Sequence, residues 1–164
     1  MLLTTNHLAA LDHCGEREAA SCYARPASAR DADSYRALAR TGLTECVRGE
    51  EYRLTADGRA ARRLIGGMEA AGVLPARQVL APDWHFIDDD VLAALETAAR
   101  ADDRVAPAAA SPLLARGLAA LVDEPYELRA TITLTVYGKA WHDLAHRLGS
   151  APGERSTRAE RALA

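Results

Sequence analysis

One pattern, Leu-Thr-x-x-Gly-basic-Ala-x-x-x-Leu, occurs twice in this chain. The first copy is Leu54-Thr55-Ala56-Asp57-Gly58-Arg59-Ala60-Ala61-Arg62-Arg63-Leu64, and the second is Leu134-Thr135-Val136-Tyr137-Gly138-Lys139-Ala140-Trp141-His142-Asp143-Leu144. Each position has a physical use. The first Leu can end a strand pointing into a core. The Thr can cap a helix by accepting an orphan backbone N–H. The Gly falls in the first helical turn, where a missing side chain permits close backbone approach. The last Leu then lies on the helix that follows.

What precedes each copy also repeats. Leu38-Ala39-Arg40-Thr41-Gly42-Leu43 stands before the first and Leu114-Ala115-Arg116-Gly117-Leu118 before the second, and further upstream Leu8-Ala9-Ala10-Leu11 matches Leu92-Ala93-Ala94-Leu95. The order is kept while the spacing changes, as loop insertions and deletions would do. An internal duplication is the simplest account. It divides the 164 residues into a unit over 1–70, a connector over 71–83, a second unit over 84–149 and a polar tail over 150–164. Apolar residues make up 49% but aromatics only 5%, so such cores would be largely helix on helix. The expected fold class is mainly α with small β-hairpins, in two units.

Helical spacing, caps and turn residues predict helices over 6–13, 16–23 and 32–40, with Gly15 ending the first and Asp31 or Asp33 starting the third. A hairpin follows, with strands over 43–47 and 51–54 around a turn at 48–50. Thr55 then opens a helix to 68, loosened at Gly66-Gly67. In the second half helices are expected over 91–101, 113–122 and 136–148. The second of these would have Ser111 as its cap and Pro112 in its first position, and the hairpin would pair 127–129 with 131–134. Asp88-Asp89-Asp90 reads as a helix start, with a metal-binding triplet alongside His85 as the lesser alternative.

Three helices, a hairpin and a further helix is the element order of a winged-helix domain. The run Gly42-Leu43 with Tyr52-Arg53-Leu54-Thr55-Ala56-Asp57-Gly58-Arg59-Ala60 resembles the wing and following helix of bacterial winged-helix regulators of the MarR/PadR kind. The resemblance covers residues 31–64 well and the second copy less well. It implies two winged-helix-like units in tandem, with the third helix of the first unit as recognition helix and the hairpin as wing. On that reading Arg30, Ser34, Arg36 and Arg40 of the helix and Arg48 and Arg53 of the wing would face duplex DNA. Arginine suits this role because it bonds phosphates and pairs bidentately with guanine.

Charge sets a limit on that reading. The formal net charge is −3, and the excess acid lies in the second half, so only the first unit is a candidate phosphate surface. Asp31, Asp33, Glu45 and Glu50 also interleave its arginines. The helix expected over 113–122 carries one arginine and many apolar groups, which marks it as a contact face. Leu113, Leu114, Leu118, Leu121 and Trp141 are the candidate protein-interface residues, for dimerisation or a partner.

Two functions follow as expectations. The first is a DNA-binding transcriptional regulator of bacterial or phage origin, homodimeric through its second unit; the single lysine among 20 basic residues suggests a GC-rich gene. The rival is an acidic protein-binding adaptor, or a phage-encoded inhibitor blocking a host nucleic-acid-processing complex such as a defence system. No phosphate loop, nucleophile elbow or nucleophile–base pairing is legible, so no enzyme and no cofactor is expected. His142 and His146 have the i, i+4 spacing that can hold a metal, but Asp143 stands where the zincin motif has Glu and no third ligand is legible. Three cysteines, an odd number without Cys-x-x-Cys spacing, argue for a reducing compartment. With no signal-like start and no long apolar run, the expected location is the cytoplasm.

Overall fold

The computed structural model describes residues 3–74, 84–100, 107–122 and 131–149. The chain is mainly helical with small antiparallel strand pairs, as the composition implies. It forms two compact units, one reaching to Phe86 and the other beginning at Ile87.

The N-terminal unit starts with β1 (Leu3–Thr4) and α1 (Thr5–Ala19). Thr4 caps α1 in a reciprocal box with His7. The Thr4 N–H donates to His7 Nδ1 at 3.0 Å, so two orphan donors at the helix start are satisfied. Gly15 does not end this helix, and the two helices expected over 6–13 and 16–23 are one. Gly15 lies on the buried face, where the Arg62 side chain crosses to donate to Asp12 at 3.1 Å. A Cβ on Gly15 would meet the Arg62 guanidinium at 2.5 Å. The glycine therefore serves close approach, and the turn comes later, at Ser21 with φ 56°.

The next helix, α2 (Ala29–Arg40), is capped by Ser28, whose hydroxyl accepts from the Asp31 N–H at 3.1 Å. It thus begins before the aspartates expected to start it. Ala32, Tyr35 and Leu38 form its buried face. Gly42, at φ 82°, ends it, and the Leu43 N–H donates back to the Leu38 carbonyl at 3.0 Å. The hairpin of β2 (Thr44–Arg48) and β3 (Glu51–Leu54) follows as expected, turning at Gly49, with an irregularity between Cys46 and Arg48. Ala24 bridges to Tyr52 on the far side of β3, which leaves β2 as the edge. Thr55 caps α3 (Ala56–Ala70), which runs unbroken through Gly66-Gly67. Two helices, not three, precede the hairpin. At the unit's end β4 (His85–Ile87) pairs with β1, and the Thr5 N–H donates to the Trp84 carbonyl at 3.2 Å.

The C-terminal unit has the same order of elements: α4 (Asp89–Arg100), α5 (Pro107–Leu114), β5 (Ala119–Val122), β6 (Thr131–Leu134) and α6 (Val136–Arg147). The Asp88 carboxylate accepts from the Val91 N–H at 2.9 Å, so the aspartate run does start a helix. The helix expected over 113–122 is not formed. Gly117, at φ 62°, turns the chain after Leu114, the Leu118 N–H bonds the Leu113 carbonyl, and residues 119–122 become a strand. That strand pairs with Thr131–Leu134, in place of the expected 127–129, which lies outside the described residues. Pro112 sits inside α5 rather than at its start.

The repeated sequence pattern corresponds to one repeated set of bonds. The Thr55 and Thr135 N–H groups donate to the Leu43 and Leu118 carbonyls at 3.1 and 3.0 Å. Their hydroxyls donate to the Gly42 and Gly117 carbonyls at 2.6 and 2.9 Å and accept from the Gly58 and Gly138 N–H groups at 3.0 and 3.1 Å. Leu54 pairs with Thr44 across one hairpin as Leu134 pairs with Ala119 across the other.

The glycines of the pattern have a steric cause. A Cβ on Gly58 would lie 1.8 Å from the Leu43 oxygen, and one on Gly138 would lie 2.0 Å from the Leu118 oxygen. Both obstacles are backbone, so relief requires moving the helix off the strand. Gly58→Ala or Gly138→Ala should each cost about 3 kcal/mol in urea unfolding, at the upper end for overpacking. Gly66→Ala, at an exposed α3 position with nothing within 4 Å, should instead be neutral or stabilise by up to about 1 kcal/mol. Equal effects at all three positions would refute this account of the fold.

Candidate functional site

The arginines expected to contact DNA are on the surface, but they are not equally available. Arg30, Arg36 and Arg40 are exposed on α2, and Arg48 and Arg53 are exposed on the hairpin. Ser34 is not: helical spacing places it with Leu38 on the buried side of α2, where it is only 9% exposed. Arg36 donates to Asp33 at 2.7 Å one turn back. Arg53 pairs with Glu45, its cross-strand partner in the hairpin register. These carboxylates hold both guanidinium groups above the ordinary arginine range, through a hydrogen bond and the adjacent charge. Arg25, which sequence reasoning did not single out, pairs with Glu51 at the base of β3. Among the described residues, Arg30, Arg40 and Arg48 make no ion pair.

The candidate interface residues of the C-terminal unit divide. Leu113 and Leu118 are fully buried, Trp141 is nearly so and Leu114 is half-buried. These are core or near-core side chains, because Gly117 breaks the expected helix and turns Leu113 and Leu118 inward on either side of it. Only Leu121 stands out, at 55% exposure, beside Val122 on β5. In the first hairpin Val47 is also exposed, at the irregularity between Cys46 and Arg48.

Among the described residues, one group of three possible metal ligands joins α4 to α6. His142 Nε2 and His146 Nε2 each lie 3.1 Å from Glu96 Oε2 and 3.2 Å from one another. The other carboxylate oxygen of Glu96 is held by Arg100. Burial by itself would raise the Glu96 pKa. The hydrogen bond from His142 and the charges of Arg100 and His146 outweigh it and hold the carboxyl below its ordinary value. Helical spacing shows the two histidines in the sequence. Glu96 arrives from another helix, 46 residues from His142, and no local pattern points to it.

A profile of the family described as "Protein of unknown function (DUF505)" matches residues 1–151. The chain belongs to that family. No curated protein and no solved structure matches it. No helix among the described residues of this DUF505 member is long and apolar enough to cross a membrane.

Because the folded-state pKa of Glu96 is depressed, the stability it contributes is complete above the unfolded value of 4.5 and is lost as pH falls through the folded value. Glu96→Ala should therefore destabilise by about 1.5–3 kcal/mol at neutral pH, the range for hydrogen bonds to charged groups. That deficit should shrink when unfolding is measured at acid pH. A deficit that persists unchanged there would show that Glu96 acts by packing alone.

Proposed function

We propose that this DUF505 chain is a non-enzymatic, cytoplasmic DNA-binding regulator built of two winged-helix-like units. In this reading α2 and the β2–β3 hairpin of the N-terminal unit contact duplex DNA, and the C-terminal unit supports dimerisation. The observation that carries it is the exposure of Arg30, Arg40 and Arg48 without ion pairs among the described residues, beside Arg36 and Arg53 in exposed pairs. Exposed pairs contribute roughly 0–1 kcal/mol, so phosphate oxygens can replace Asp33 and Glu45 at little cost. With Ser34 turned inward, the contacts would go mainly to phosphates and position the protein more than they specify sequence. The exposed Leu121 and Val122 edge of β5 is the natural dimerisation surface.

A second reading, a protein-binding adaptor or inhibitor of a nucleic-acid-processing complex, is favoured by a different observation. Val47 on β2 and Val122 on β5 are both exposed, each on the strand that enters its hairpin. An open strand edge with apolar side chains is suited to accepting a partner's strand.

Binding to random duplex measured against salt concentration separates the two. Phosphate contacts by all five arginines give a log–log slope of about −4.5, and Arg40→Ala with Arg48→Ala should reduce it to about −2.7. Absence of duplex binding at low salt, together with capture of a discrete protein partner, would reverse the assignment.

A further inference from the structure

We propose that Glu96, His142 and His146 form a binding site for a first-row divalent transition ion, zinc being the one their chemistry suits best. The inference does not depend on the chain's binding DNA. It rests on the geometry of three ligating atoms. Glu96 Oε2, His142 Nε2 and His146 Nε2 make a nearly equilateral triangle with sides of 3.1, 3.1 and 3.2 Å. An ion with bonds of about 2.0–2.1 Å to imidazole nitrogen and carboxylate oxygen sits about 1 Å above the centre of such a triangle. Those bond lengths imply ligand separations of about 3.3 Å in a tetrahedron and about 2.9 Å in an octahedron, and the observed sides fall between the two.

Proton placement points the same way. An ionised carboxylate only accepts. For both histidines to donate to Glu96 Oε2, both Nε2 atoms must carry hydrogens, and these donors then face each other at 3.2 Å. If either ring turns its lone pair inward instead, its bond to Glu96 is lost. With Glu96 ionised, no neutral tautomer pair makes hydrogen bonds of all three contacts. A cation bound by three lone pairs satisfies them together.

The surroundings hold the ligands in place. The histidines are one turn apart on α6, and Glu96 is fixed on α4 by Arg100, which takes Oε1 and leaves Oε2 to the ion. Asp143 Oδ1 lies 3.8 Å from His142 Nδ1, on the side of the ring that keeps its proton when Nε2 binds metal. The His146 side chain is 47% exposed, so the remaining coordination positions open to solvent, where water or an external ligand completes the shell. Two imidazoles with one carboxylate suit zinc and its neighbours, whereas calcium and magnesium take oxygen ligands.

The test uses the full chain stripped of metal, with exposed Cys22 and Cys46 replaced by Ser so that thiols do not compete. Zinc is titrated against a chromophoric chelator, and cobalt(II) is added separately for its visible spectrum. One ion per chain is expected, with a visible cobalt band lacking thiolate charge transfer and a zinc-dependent rise in Tm. Glu96→Gln and His146→Asn should each weaken binding by about 10-fold or more and abolish the Tm response. Circular dichroism verifies that the exposed His146→Asn variant is folded. Retention of no ion against the chelator, affinity unchanged in both variants, or a cobalt spectrum showing thiolate charge transfer would overturn the proposal.

Discussion

Each unit depends on one backbone oxygen. In the N-terminal unit it is the Leu43 carbonyl, and in the C-terminal unit the Leu118 carbonyl. Each accepts the N–H of the Thr that opens the last helix, and each lies where a Cβ of the following glycine would otherwise be. The helix start, the end of the returning strand and the turn after the preceding helix are thereby held at one point. The Thr hydroxyl completes the junction by donating to the glycine carbonyl of that turn. A buried carbonyl left without its donor would cost about 1–3 kcal/mol, so the junction forms as a whole. Leu43, Leu54, Leu118 and Leu134 are buried in consequence, because the chain on both sides is drawn inward.

The same junction carries different surfaces in the two units. The N-terminal unit presents arginines interleaved with acids, and the hairpin register itself sets Arg53 opposite Glu45. The C-terminal unit presents Leu121 and Val122 on the corresponding strand, and its charged groups gather instead between α4 and α6. Repetition thus fixed the scaffold without fixing the chemistry, and function has to be argued from each surface separately.

The Glu96–His142–His146 cluster shows what a shared fold leaves free. α4 and α6 bring two elements distant in sequence side by side, and a half-buried carboxylate between two imidazoles needs a compensating charge or proton arrangement. Arg100 supplies part of it from one side. The corresponding helices of the N-terminal unit are bridged differently, by Arg62 crossing over Gly15 to Asp12. One helix pair is joined by two separate ion pairs, Arg62 with Asp12 and Arg59 with Glu18, and the other by three side chains that converge on one point.

Much of this was readable from the residues. The pattern around Gly58 and Gly138, the caps Thr55 and Thr135, the first hairpin and the glycine turn at Gly42 are all local features. A cap or a positive φ depends on neighbours a few positions away, so sequence alone determined them. Gly15 reads as a helix end in the sequence because a glycine looks the same whether it breaks a helix or admits a crossing side chain, and only the position of Arg62 distinguishes the two. The run from Leu113 to Val122 has helical apolar spacing, yet it pairs with β6 after Gly117, and pairing with a distant strand overrides local periodicity. Ser34 lies one helical turn from Leu38 and follows it inward, whereas Glu96 meets His142 and His146 across two helices that no local pattern relates. Which face of a helix is covered, and which side chains meet across elements, is decided by packing between segments that the linear order keeps apart.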